Sequence, residues 1–193
     1  MPIEVTMLER LMMSILSYLG SLDNSIFLEL NHNITNPVFD AVFPSLRELT
    51  YVFWFLLIVY FWVRKEKKLA LLLTAGIVIG AMFTYPLKFL IDRARPCLME
   101  SSRVLTPCES DPSFPSGHTE MSFLAATVVS RFHPNYGKYL YAFSFIVALS
   151  RIYVGVHFPT DAIAGIIVGL IIGKLMIMLA QRKKDIFWER DVQ

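Results

Sequence analysis

Charge is scarce in this chain and neither sign prevails: 18 Lys and Arg stand against 16 Asp and Glu, a formal net charge of +2. That balance lacks the basic excess of a protein that coats a polyanion, so no nucleic-acid partner is indicated. Clustered carboxylates, and His or Cys at metal-ligand spacing, are missing too, so no metal and no other cofactor is expected. The opening residues, MPIEVTMLERLMMSILSYLG, lack a basic n-region and a convincing cleavage site, which argues against a cleaved signal peptide. No low-complexity tract, long internal repeat or second domain is evident.

What the chain does have is apolar mass. Hydrophobic side chains make up 55% of its 193 residues, and the mean hydropathy is +0.52. The expected class is an all-α, polytopic transmembrane helix bundle. Five clear spans are predicted, over Phe43 to Val63, Leu69 to Leu90, Ser116 to Phe132, Tyr139 to Val156 and Pro159 to Ala180. Met7 to Leu19 has apolar residues at helical spacing and reads as either an interfacial helix or a sixth span. Residues 1–193 are therefore expected to form one integral-membrane domain, with an N-terminal helical segment over 1–42, a catalytic bundle over 43–180 and a tail over 181–193.

Basic residues collect in RKEKK (Arg64 to Lys68), RFHPNYGKY (Arg131 to Tyr139) and QRKK (Gln181 to Lys184). If the spans alternate, all three lie on one side, which the positive-inside rule makes cytoplasmic together with the C-terminus. The expected location is the cell membrane, with Lys88 to Pro115 and Gly155 to Pro159 facing outward. Gly165, Gly169 and Gly173, and likewise Gly76 and Gly80, recur every four residues and predict close helix packing. The same spacing serves contacts within or between chains, so oligomeric state stays open.

The outward side gathers an unusual inventory. Lys88, Arg95 and Arg151 supply three cations, and guanidinium forks match phosphate oxygens. Ser116 is placed to cap a helix whose free amides, uncovered by Gly117, would receive an anion. His157 and Asp161 stand four residues apart, the spacing of a nucleophile and its orienter, and His118 arrives from another helix as the acid for a leaving oxygen. Taken singly, a span-end arginine is a snorkeller and a boundary histidine a capped residue. Together, six ionisable groups at one end of a small bundle are costly without a common ligand.

At these residues the chain resembles the type 2 phosphatidic acid phosphatases, or lipid phosphate phosphatases. Their three-part pattern, K-x6-RP, PSGH and SR-x5-H-x3-D, is matched by Lys88 to Pro96, Pro115 to His118 and Ser150 to Asp161. The resemblance implies a helical membrane bundle, a phosphohistidine on His157 oriented by Asp161, protonation by His118, and a phosphate held by Lys88, Arg95, Ser116, Gly117 and Arg151. It implies no metal. The expected partners are a phosphorylated membrane lipid and the bilayer.

Polyprenyl diphosphate of the undecaprenyl type, cleaved to the monophosphate, ranks first as substrate by analogy with small family members. Alternatives are phosphatidylglycerophosphate or phosphatidate hydrolysis, or transfer of the phosphoryl group to another lipid. Cys97 and Cys108 flank a short outward segment and are a candidate disulfide. Asp92, Glu100, Glu109 and Asp111 in the same loop read as a solvated acidic surface.

Overall fold

In a computed structural model, residues 7–182 are described; the expected tail falls mostly outside them, including Lys183 and Lys184. Seven α-helices follow one another among the described residues: α1 (Met7–Leu28), α2 (Pro37–Val42), α3 (Leu46–Val63), α4 (Lys67–Ile91), α5 (Gly117–Phe132), α6 (Pro134–Tyr153) and α7 (Pro159–Arg182). A π-helical turn, Glu29–Asn33, follows α1, and a short 3-10 turn, Pro96–Leu98, opens the long loop after α4.

α5 is the inner helix. Its residues from His118 to Val129 are all buried, and it packs against α3, α4, α6 and α7. The glycines make that enclosure possible. A Cβ at Gly165 would lie 2.6 Å from the Ser116 carbonyl oxygen, and one at Gly173 2.8 Å from Thr127 Cβ. At Gly169 it would overlap the Glu120 carbonyl oxygen, and Gly76 and Gly80 abut Leu124 and Glu120 from α4. Both glycine stripes therefore bring α7 and α4 close to α5 within one chain.

The expected count of five clear spans is corrected. By length and apolar content four helical stretches are able to cross a membrane: Met7–Asn33, Leu46–Val63, Lys67–Leu98 and Pro159–Arg182. The N-terminal segment qualifies, whereas α5 and α6 do not. α5 is 16 residues long and carries Glu120, Ser122 and Thr127, all buried. Enclosed by protein, it does not need the uniformly apolar surface that lipid demands. α6 contains Asn135, Lys138, Ser144 and Arg151, which dilute its apolar content.

The two ends of the bundle are distinct. At one end His133 Nε2 meets Glu66 Oε2 at 2.7 Å, joining the α3–α4 and α5–α6 connections. At the other, Asn31 Nδ2 donates to the carbonyls of Arg103 and Tyr153, each at 2.8 Å. Gly155 lies in that second cluster with φ +86°, and a Cβ there would come within 2.6 Å of the Arg103 carbonyl oxygen. Only glycine fits both the left-handed conformation and the close approach.

Candidate active site

Pro159 in the first turn of α7 fixes where that helix starts, so Asp161 enters the same turn. Asp161 is fully buried and accepts from the Phe158 amide at 2.8 Å through Oδ2. The adjoining His157, 1% exposed, turns its Nδ1 edge toward the same oxygen at 3.5 Å. Ser113 Oγ donates to Asp161 Oδ2 and stands 3.4 Å from His157 Nδ1. On the opposite edge, Arg95 Nη1 approaches His157 Nε2 at 3.3 Å. A guanidinium can only donate, so this contact makes Nε2 the acceptor and puts the imidazole proton on Nδ1, facing Asp161 and Ser113. That is the tautomer a nucleophilic Nε2 requires.

Burial pushes the His157 imidazolium below the usual histidine pKa; Arg95 and Lys88 push the same way, against the pull of Asp161. The ring is thereby kept neutral at neutral pH. Asp161 is held from its other side by Arg93, whose Nη1 donates to Oδ1 at 2.7 Å. Arg93 also donates to Thr160 Oγ1 at 2.7 Å and, through Nη2, to Asp23 Oδ2 at 2.6 Å. Its guanidinium sits 4.0 Å from the Phe158 ring centroid. Asp23, on α1, in turn accepts from the Thr160 amide at 2.9 Å, so the first helix is tied to the same junction.

The remaining expected residues come from α4, the loop after it, α5 and α6. Lys88, buried in the last turn of α4, donates to the Pro112 carbonyl at 2.6 Å. Arg95, 2% exposed, follows on the loop and donates through Nε to the Asp111 carbonyl at 2.7 Å. Arg151, 1% exposed, donates to the Phe43 carbonyl at 3.0 Å from the end of α6. Ser116 occupies the N-cap position of α5, but its side chain makes no capping bond and accepts instead from Thr119 Oγ1 at 3.0 Å. Its amide donates to the Asp161 carbonyl at 3.0 Å, which fastens the start of α5 to the start of α7. Nothing lies within 4 Å of a Cβ built at Gly117, so the first turn of α5 is open to a ligand. His118 is 5% exposed, its Nε2 is buried without a hydrogen-bond partner, and its ring lies 4.8 Å from that of Tyr51.

Two features were not anticipated. Arg93 and Ser113 both hold Asp161, although each sits inside a motif-bearing stretch, KFLIDRARP and DPSFPSGH, where its position next to recognised residues was the available signal. The acidic loop is also not simply solvated. Asp111 Oδ2 pairs with Lys88 Nζ at 3.0 Å and Oδ1 with Arg95 Nη2 at 2.7 Å, and Glu109 Oε2 meets the same Nη2 at 2.7 Å. Burial favours the neutral Asp111 carboxyl, but the hydrogen bond and charge of Lys88, joined by Arg95, outweigh it and hold the pKa below the usual carboxylate value. Cys97 and Cys108 are joined in a disulfide with a Cα–Cα distance of 5.9 Å, which closes the loop just before Glu109.

A family model described as the PAP2 superfamily matches residues 69–185, more than half of the chain. The chain belongs to the PAP2 superfamily. The undecaprenyl-diphosphatase BcrC of Bacillus subtilis is 28% identical over 143 residues, which span 72% of this chain and 74% of that protein. Among solved structures, Aquifex aeolicus LpxE superimposes with a TM-score of 0.74 at 31% identity, covering 81% of this chain and 95% of that one. A transmembrane PAP2-type phosphatidylglycerolphosphate phosphatase from Bacillus subtilis gives 0.72 at 26% identity, covering 88% and 89%. As a PAP2 protein with these relatives, the chain is a membrane protein of a lipid phosphatase family.

Proposed function

We propose that this PAP2 protein hydrolyses the terminal phosphate of a polyprenyl diphosphate of the undecaprenyl type, leaving the monophosphate, through a phosphohistidine on His157. The observation that carries the reading is the state of His157: a neutral ring with Nδ1 toward Asp161 and Nε2 beside the Arg95 guanidinium. An oxyanion drawn to Arg95 replaces the contact between that guanidinium and Nε2 and meets the Nε2 lone pair. Lys88, Arg95, Arg151, Ser116 and the open amides at Gly117 hold the phosphate and receive the charge that builds on its equatorial oxygens. His118, with Nε2 unpartnered, is the acid for the leaving oxygen. Burial and the charge of Arg151 push its pKa down to about 3, so it takes up its proton from solvent as the substrate anion binds and favours the imidazolium, and then gives it to that oxygen. No metal is assigned a role, because these cations and amides supply the neutralising charge. Asp161 orients His157 and favours its positive charge in the transition state.

The undecaprenyl-diphosphatase relative supports the choice of substrate. The phosphatidylglycerolphosphate phosphatase neighbour, which covers more of the chain, supports a phosphatidylglycerophosphate as the second reading. We assign the site to the extracytoplasmic face and the C-terminus to the cytoplasm, since the basic connections Arg64 to Lys68 and Arg131 to Tyr139 are joined through Glu66 and His133 at the opposite end.

The test is phosphate release by the purified protein from undecaprenyl diphosphate, phosphatidylglycerophosphate and phosphatidate, with a chelator present and with His157→Ala as the blank. The diphosphate is expected to give the highest kcat/KM. A higher value for either monoester replaces the substrate assignment, and activity that a chelator removes and magnesium restores refutes the metal-free reading.

A further inference from the structure

The cations of the site do not end at Arg95. Glu109, whose Oε2 meets Arg95, places its Oε1 3.4 Å from Nε of Arg47. The result is a row of three cations, Lys88, Arg95 and Arg47, bridged by two carboxylates, Asp111 and Glu109. Lys88 and Arg95 are buried, whereas the Arg47 side chain keeps 31% of its surface exposed. Nothing in the reaction described above uses Arg47.

Its location gives it a use. Arg47 lies one turn before Tyr51 on α3, and the Tyr51 ring lies 4.8 Å from that of His118, tilted by 54°. The Arg47 main chain is itself next to the His118 ring. The third cation therefore stands on the side of the leaving-group acid. Asp111 and Glu109 share a single guanidinium nitrogen and have a further cation at each end. Two adjoining anions so placed have the charge arrangement of a diphosphate.

We propose that Arg47 forms a second phosphate subsite, which binds the lipid-linked phosphate of a diphosphate while Lys88 and Arg95 bind the terminal one, and that Glu109 and Asp111 yield these positions to the substrate. The proposal rests on the diphosphate reading above. His157 Nε2 forms a bond to the terminal phosphorus as the bond from that phosphorus to the bridging oxygen breaks. The electron pair leaves on the bridging oxygen, which takes the proton that His118 acquired from solvent on binding the substrate anion, and Arg47 neutralises the departing lipid monophosphate. Neutral His118 then takes a proton from the water that attacks the phosphohistidine, releasing inorganic phosphate and free His157. A monoester offers Arg47 no phosphate.

Farnesyl diphosphate and farnesyl monophosphate differ by this one group and are the probes for the full-length protein in detergent. Arg47→Gln is expected to lower the ratio of their kcat/KM values by about tenfold or more, the scale of a lost charge-assisted hydrogen bond, with Arg47→Lys recovering part of it. Inhibition by methylenediphosphonate should weaken relative to inhibition by orthophosphate by a similar factor. Glu109→Gln should not lower the ratio. A ratio within about twofold of wild type in Arg47→Gln, where one bond is worth tenfold, overturns the subsite. Absence of diphosphate hydrolysis in the wild-type protein overturns the substrate reading as well, so the two failures are told apart.

Discussion

Arg93 Nη1 donates to Asp161 Oδ1 at 2.7 Å, on the side of the carboxylate away from His157. Through Nη2 the same guanidinium holds Asp23 of α1 at 2.6 Å. Arg93 therefore fixes the residue that orients the proposed nucleophile while touching neither the imidazole nor the phosphate cradle.

Arg93→Gln is expected to reduce kcat by about 10- to 100-fold, as removal of one partner leaves Asp161 poorly paired in a buried site, with a smaller effect on KM. Loss of a nearby positive charge also raises the His157 pKa, which moves the acidic limb of kcat/KM to higher pH. Arg93→Lys restores part of both. An unchanged pH profile in Arg93→Gln would reduce Arg93 to a structural tie.

His157→Ala should abolish turnover, whereas His118→Gln should slow both formation and hydrolysis of the phosphoenzyme. With a terminally 32P-labelled diphosphate, denatured protein is expected to retain label that survives alkali and is lost in acid, as a phosphohistidine does. Label remaining on His157→Ala would place the nucleophile elsewhere.

The pH dependence follows from the direction of the His157 shift. Its pKa lies below the ordinary value of 6.5, and in the proposed reaction the neutral ring is the nucleophile. As pH falls through 6.5 His157 should stay neutral, and the loss of kcat/KM that its protonation causes should set in only at lower pH. Stopped phosphate assays across that range check this, and a midpoint above 6.5 is incompatible with a buried neutral nucleophile.

Gly169→Ala is expected to destabilise the fold by about 1–3 kcal/mol, because its Cβ would overlap the Glu120 carbonyl oxygen and α5 cannot retreat from neighbours on every side. Gly20→Ala is the control, since nothing lies within 4 Å of a Cβ there and alanine favours the helix. Thermal unfolding in detergent should separate the two.

Part of the site was legible in the sequence because its spacing is local: His157 lies just before the helix whose first turn holds Asp161 and PSGH opens another, so short stretches carry the geometry. Arg93 shows where that legibility stops. Its partner Asp23 lies 70 positions away on a helix that looked merely amphipathic, and no local pattern announces the pairing. Glu109 and Asp111 were read as solvated for the same reason, since the cations they meet arrive from α3, α4 and the loop. The span count failed differently. Hydropathy measures what lipid would tolerate, and α5 faces protein, where Glu120 and Thr127 are tolerated on other terms.

That enclosure of α5 bears on how the membrane reaches the chemistry. A helix that touches lipid responds to bilayer thickness by tilting or sinking, but the helix carrying Ser116, Gly117 and His118 meets its neighbours first. Changes in acyl-chain length reach it only through the glycine faces of α4 and α7, so the proposed acid His118 and the Ser116 and Gly117 part of the proposed phosphate site sit on an insert shielded from the surrounding membrane.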